Sequence, residues 1–206
     1  MFTTTRIILW SFQALAFIVA VLLWHKYKNT PQRGFLGFLA FVVFTEVAAV
    51  VCVSMCHIKS YWVYNMFTVI SGSFYLYWFY QILSYKKLIL AFGLLFFISI
   101  VLALFQERFF LGLWRIPLTT ITVLVLICST LYFSELLNSS RVITFKTEQQ
   151  FWLVTGLLIF YLGFLPLQLL MPYIKIKGAD YLFAIMLLNI IMYGFFTISF
   201  LCLRKK

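Results

Sequence analysis

The chain has 206 residues, 65% of them apolar and only 10% charged, with a formal net charge of +11. A soluble domain carries about 25% charged residues, so lipid rather than water is the solvent this composition fits. Seven membrane-spanning helices need about 140 residues and the chain supplies about 134 apolar ones, leaving roughly 60 to 70 for loops and tails, too few for a separate soluble domain. Nucleic-acid readers, soluble enzymes and disulfide-stapled secreted domains are thereby excluded.

Apolar stretches bounded by charge predict seven helices, because lipid cannot satisfy free backbone groups. They run over residues 7–24, 35–56, 61–83, 88–105, 116–137, 151–171 and 181–203. The expected fold class is therefore all-α, a single multi-pass bundle spanning residues 1–206. The first stretch follows Arg6 and is longer than the apolar core of a signal peptide. No small-x-small cleavage pattern follows Trp24, so it reads as a mature helix.

The second stretch carries Glu46 at its centre, and an ionisable group at that depth is costly and commonly functional. Desolvation favours its neutral, protonated form. Two readings stand: a proton-linked or ligand-binding carboxyl, or a protonated Glu hydrogen-bonded to another helix. Thr45, Ala49, Cys52 and Cys56 follow helical spacing beside it, a small-residue stripe suited to close packing. With no His or second Cys pair in that span, the two cysteines read as structural rather than metal-binding.

In the third stretch Asn65, Thr68, Gly72 and Tyr75 share one face, which is expected to point into the bundle. Between the fourth and fifth stretches, Arg108 and Arg115 bracket the apolar residues 109–114 in what reads as an interfacial turn. The sixth contains Gly156, Gly163, Pro166 and Gln168. The proline frees a carbonyl one turn earlier and allows a kink. Asn189, Tyr193 and Thr197 recur every four residues in the seventh. Such polar groups glue helices together or line a pocket. Glu46, Asn65, Gln168, Asn189 and Tyr193 are the candidate ligand-binding or proton-linked residues, the first four forming a hypothetical pocket open to the outside. The dense aromatics at 74–80 and 195–200 read as packing surface.

Lys and Arg in short loops set orientation. Ten lie on one face (Lys26, Lys28, Arg33, Lys86, Lys87, Arg141, Lys146, Arg204, Lys205, Lys206) and six on the other (Arg6, Lys59, Arg108, Arg115, Lys175, Lys177). The N-terminus is therefore expected outside and the C-terminus inside, with anionic lipid headgroups as counter-charge. Trp10, Trp24, Trp62, Trp114 and Trp152 fall near span ends or in the loop before the fifth stretch, consistent with headgroup-level placement; Trp78 lies deeper. There is no H-E-x-x-H motif, Gly-rich phosphate loop or G-x-S-x-G elbow. His25 and His57 fall in loops assigned to opposite faces. No catalytic, metal or cofactor site is expected.

The span count, the outside-to-inside course, and Glu46 followed by a short loop into Tyr61 and Trp62 resemble the seven-helix sensor regions that precede bacterial histidine kinases. The resemblance implies a sensory or regulatory module in the bacterial inner (plasma) membrane. Since no kinase domain follows Lys206, it implies a freestanding sensor that signals to a separate cytoplasmic protein, with a small-molecule ligand and homo-oligomers left open. Microbial rhodopsins share the helix number, but the last span lacks the lysine that family needs for retinal. SWEET-type and PQ-loop transporters share number and length, and Pro31 and Gln32 are adjacent here, without a counterpart in a second repeat. The alternative function is a small-solute or proton-coupled transporter using Glu46; an intramembrane enzyme ranks third.

Overall fold

The computed structural model describes residues 2–55, 57–170 and 178–203. Cys56, Met171, Lys175, Lys177, Arg204, Lys205 and Lys206, which entered the stripe, span-end and loop-charge readings, lie outside them. Among the described residues the regular structure is entirely helical. Seven long helices occur: α1 (Phe2–Leu22), α3 (Gly34–Ser54), α4 (Tyr61–Ile82), α5 (Lys86–Gln106), α6 (Arg115–Leu137), α7 (Gln149–Leu170) and α8 (Gly178–Leu201), with the short α2 (Trp24–Tyr27) after α1. At ~1.5 Å per residue the 21 to 24 residues of each long helix give about 31 to 36 Å, enough to cross a hydrocarbon core of ~30 Å.

Five helical stretches are both long and apolar enough to cross a membrane: Pro31–Ser54, Lys86–Gln106, Arg115–Leu137, Gln149–Leu170 and Asp180–Leu201. Ile7–Leu22 is a shorter apolar helix. Their outward faces carry large apolar side chains: Phe44 is 68% exposed, Phe97 62% and Leu162 63%. A water-facing helix would place charge there. The chain is thus a helical protein for a lipid environment.

The chain divides into two compact units, residues 37–124 and residues 1–36 with 125–206. In the first, α4 is the hub. Phe38 of α3 stacks on Phe74 with ring centroids 4.7 Å apart, and Phe41 on Phe67 at 5.8 Å. On another side, a Cβ added at Gly72 would lie 2.6 Å from Phe96 Cζ of α5 and 2.9 Å from Ile121 Cγ1 of α6. Only glycine lets these three helices approach so closely. The face holding Asn65, Thr68, Gly72 and Tyr75 is buried, as its spacing predicts. This explains why α4 is not among the five most apolar helices: Asn65, Thr68 and Ser71 lower its hydropathy yet are buried against neighbouring helices.

In the other unit α8 packs along both α1 and α7. Gly156 of α7 sits against Phe195 Cβ and the Met192 carbonyl, and Gly163 against Leu188. Near the other end of α8, Phe200 meets Tyr27 at 5.0 Å and Phe196 meets Phe35 at 5.6 Å. Helix α7 continues through Pro166, whose missing N–H leaves the carbonyl one turn back without its usual donor.

Candidate functional site

Asn65 is 1% exposed and reaches out of its own helix. Its Nδ2 donates to the carbonyls of Phe109 (2.8 Å) and Gly112 (3.0 Å), and its Oδ1 accepts from the Trp114 N–H at 2.9 Å. Both amide protons and one acceptor position are thus committed to the turn between α5 and α6. The geometry gives Asn65 a structural task, pinning that turn to α4.

The same turn is held from its other side by Glu107, whose Oε1 accepts from the Ile116 N–H at 3.3 Å. A carboxylate beside the first turn of α6 complements the positive end of the helix dipole. Sequence reasoning passed over Glu107; its signal was an acid eight residues before a helix that has no acid in its own first turn. Within the turn, Phe109 packs edge-on against both Phe110 and Trp114 at 5.0 Å. Phe110, Leu111 and Leu113 are exposed while Trp114 is buried. The turn therefore shows apolar residues outward, but its tryptophan folds inward instead of presenting its ring at the surface.

Glu46 is half-buried on α3. It follows Thr45, which is buried and donates its hydroxyl to the Phe41 carbonyl at 2.8 Å. Glu46 and Asn65 belong to the unit of residues 37–124, whereas Gln168, Asn189 and Tyr193 belong to the other. Asn189 is half-buried and donates to the Ile185 carbonyl of its own helix at 2.8 Å. Tyr193 is buried with its ring 5.8 Å from that of Phe196. Gln168 is half-buried two residues after Pro166.

Among the cavities of the described residues in the unit 37–124 are two that no predicted site residue lines. One, of about 360 Å³, sits at the turn from α3 to α4 and is lined by Val53, His57, Ile58, Lys59, Ser60 and Tyr61. His57 adopts the left-handed backbone region, φ 55°, and the Ile58 N–H returns to the Cys52 carbonyl at 3.0 Å, which terminates α3. The larger, of about 530 Å³, lies between α4 and α5 and includes Ser73, Tyr77, Tyr80, Leu90 and Gly93. Its signal in the sequence was Gly93, a residue with no turn to make in the middle of an apolar helix.

Outside the spans, Tyr27 is buried and donates its phenol to the Ala20 carbonyl at 2.7 Å, closing the corner between α1 and α2. Burial pushes this phenol up from 10.0 to about 12. Cys52, Cys128 and Cys202 are free thiols. Among the described residues no group of three or more His, Cys, Asp or Glu side chains is placed to hold a metal ion. What the arrangement offers chemically is a half-buried carboxyl in each of two apolar helices, Glu46 in α3 and Glu135 near the end of α6, and several polar groups engaged in holding helices and turns. No protein family, curated protein or solved structure matches this chain.

Proposed function

We propose that this chain is a seven-span sensory or regulatory module of a bacterial plasma membrane, N-terminus outside and C-terminus inside, that passes a ligand- or proton-driven change to a cytoplasmic protein. The observation that carries this reading is the course of α3. The helix begins at Gly34, directly after Arg33 of the basic 26–33 segment, and bears Glu46 twelve residues on, or about 18 Å along a rigid rod. Residues 34–36 of α3 fall in one compact unit and Glu46 in the other. A change in protonation or occupancy at Glu46 biases a helix whose other end is a cluster of Lys26, Lys28 and Arg33. Those cations suit an acidic docking face on a partner.

The test is crosslinking of the full chain in its native membrane through Lys26 and Lys28. One defined soluble protein should be captured, and Glu46→Gln should change its capture about tenfold while leaving the chain folded. Unchanged capture in that variant would overturn the role of Glu46. A transporter is the second reading, supported by the same carboxyl near the middle of a long apolar helix. Solute accumulation by the purified chain in sealed vesicles, lost in Glu46→Gln, would replace the sensor reading.

A further inference from the structure

The larger cavity between α4 and α5 is an elongated apolar groove. From α4 it takes Ser73, Leu76, Tyr77 and Tyr80, and from α5 Ile89, Leu90, Gly93 and Phe96. The two helices are antiparallel neighbours, so the groove follows both for seven residues, about 10 Å at 1.5 Å each. It opens outward: Tyr77 is 60% and Leu90 62% exposed. Gly93 creates the space, since a Cβ built there meets no atom within 4 Å.

One end of this groove is cationic. Lys86, at the start of α5, donates through Nζ to the Tyr80 carbonyl and to the Gln81 carbonyl (3.2 Å), and lies 5.0 Å from the centroid of the Tyr80 ring that lines the groove. Lys87, beside it, is exposed and has no acidic partner in its own hairpin, because residues 61–106 contain no Asp or Glu. An apolar slot that ends at two adjacent lysines, in a hairpin without an acidic residue, matches an amphiphile with an anionic head.

We propose that the α4–α5 groove is a binding site for one anionic phospholipid, with an acyl chain lying over Gly93 between Tyr77 and Leu90 and its phosphate at Lys87. This goes beyond the sensor reading and does not depend on it.

The test uses the full chain in detergent, with phosphatidylglycerol and phosphatidylcholine added in equal amounts and bound lipid counted by native mass spectrometry. Wild type should retain one phosphatidylglycerol in preference to phosphatidylcholine. Gly93→Leu, whose Cβ meets no atom within 4 Å and whose further carbons enter the slot, should reduce that retention at least tenfold. Gly37→Leu, at a second glycine whose added Cβ would also meet nothing, should leave it intact and controls for added apolar bulk. Lys87→Gln should keep a bound lipid but lower the preference for the anionic head about fivefold, the effect of one basic residue at a membrane surface. Equal retention of both lipids by wild type would overturn the proposal, as would undiminished retention by Gly93→Leu. Dimerisation abolished by Gly93→Leu would also overturn it, by assigning the groove to a second copy of the chain.

Discussion

A polar side chain in an apolar helix is easy to find in a sequence, but its partner is not. Asn65 stands out by composition alone, yet the groups it binds lie 44 to 49 residues further on, in a turn whose position follows from packing and not from local pattern. Replacing it by Ala leaves two carbonyls and one N–H of that turn without their partner. We expect a loss of about 1–3 kcal/mol, read as a lower denaturation temperature in detergent, whereas a ligand-binding asparagine would lower affinity and leave stability unchanged. Tyr27 makes a prediction in pH. Its folded value of about 12 exceeds the ordinary 10.0, so the neutral phenol is the form the fold favours. The stabilisation is complete below pH 10 and is lost as pH rises through 12. Tyr27→Phe should cost about 1 kcal/mol at neutral pH and remove this share of the alkaline destabilisation, which denaturation curves at pH 8 and pH 11 will measure.

At the scale of elements, helix positions were legible because each apolar stretch ends in charge or in turn residues. The predicted third stretch, 61–83, is Tyr61–Ile82 in the structure, and the predicted fifth, 116–137, is Arg115–Leu137. Which glycines matter was not legible, since the answer depends on what each one faces. Gly72 and Gly156 face constrained atoms: the buried Phe96 ring with Ile121 in one case, and a backbone carbonyl with a Cβ in the other. Gly163 faces only the mobile end of Leu188, and Gly93 faces open space. Alanine at Gly72 or Gly156 should therefore cost about 1–3 kcal/mol by overpacking, Gly163→Ala less, and Gly93→Ala nothing measurable. The order, obtained from unfolding in detergent, tests the packing of both units.

For the whole molecule, the lipid environment was readable from composition, because a chain with so few charges cannot clothe seven long helices in polar groups. The grouping of those helices into units of residues 37–124 and the remainder was not, since it rests on contacts between segments far apart in sequence. Topology has a direct check. After removal of the native cysteines, single cysteines at Ser84 and Ser139 should react with a membrane-impermeant thiol reagent from one side and a cysteine at Ser60 from the other. Labelling of Ser84 and Ser60 from the same side would break the seven-span course. The polar character of α4 also bears on how the protein is made. A segment carrying Asn65, Thr68 and Ser71 toward its neighbours partitions poorly when it leaves the ribosome alone. The hydrogen-bond partners of Asn65 at Phe109, Gly112 and Trp114 are synthesised only after α5, so the polar cost of α4 is offset late in translation.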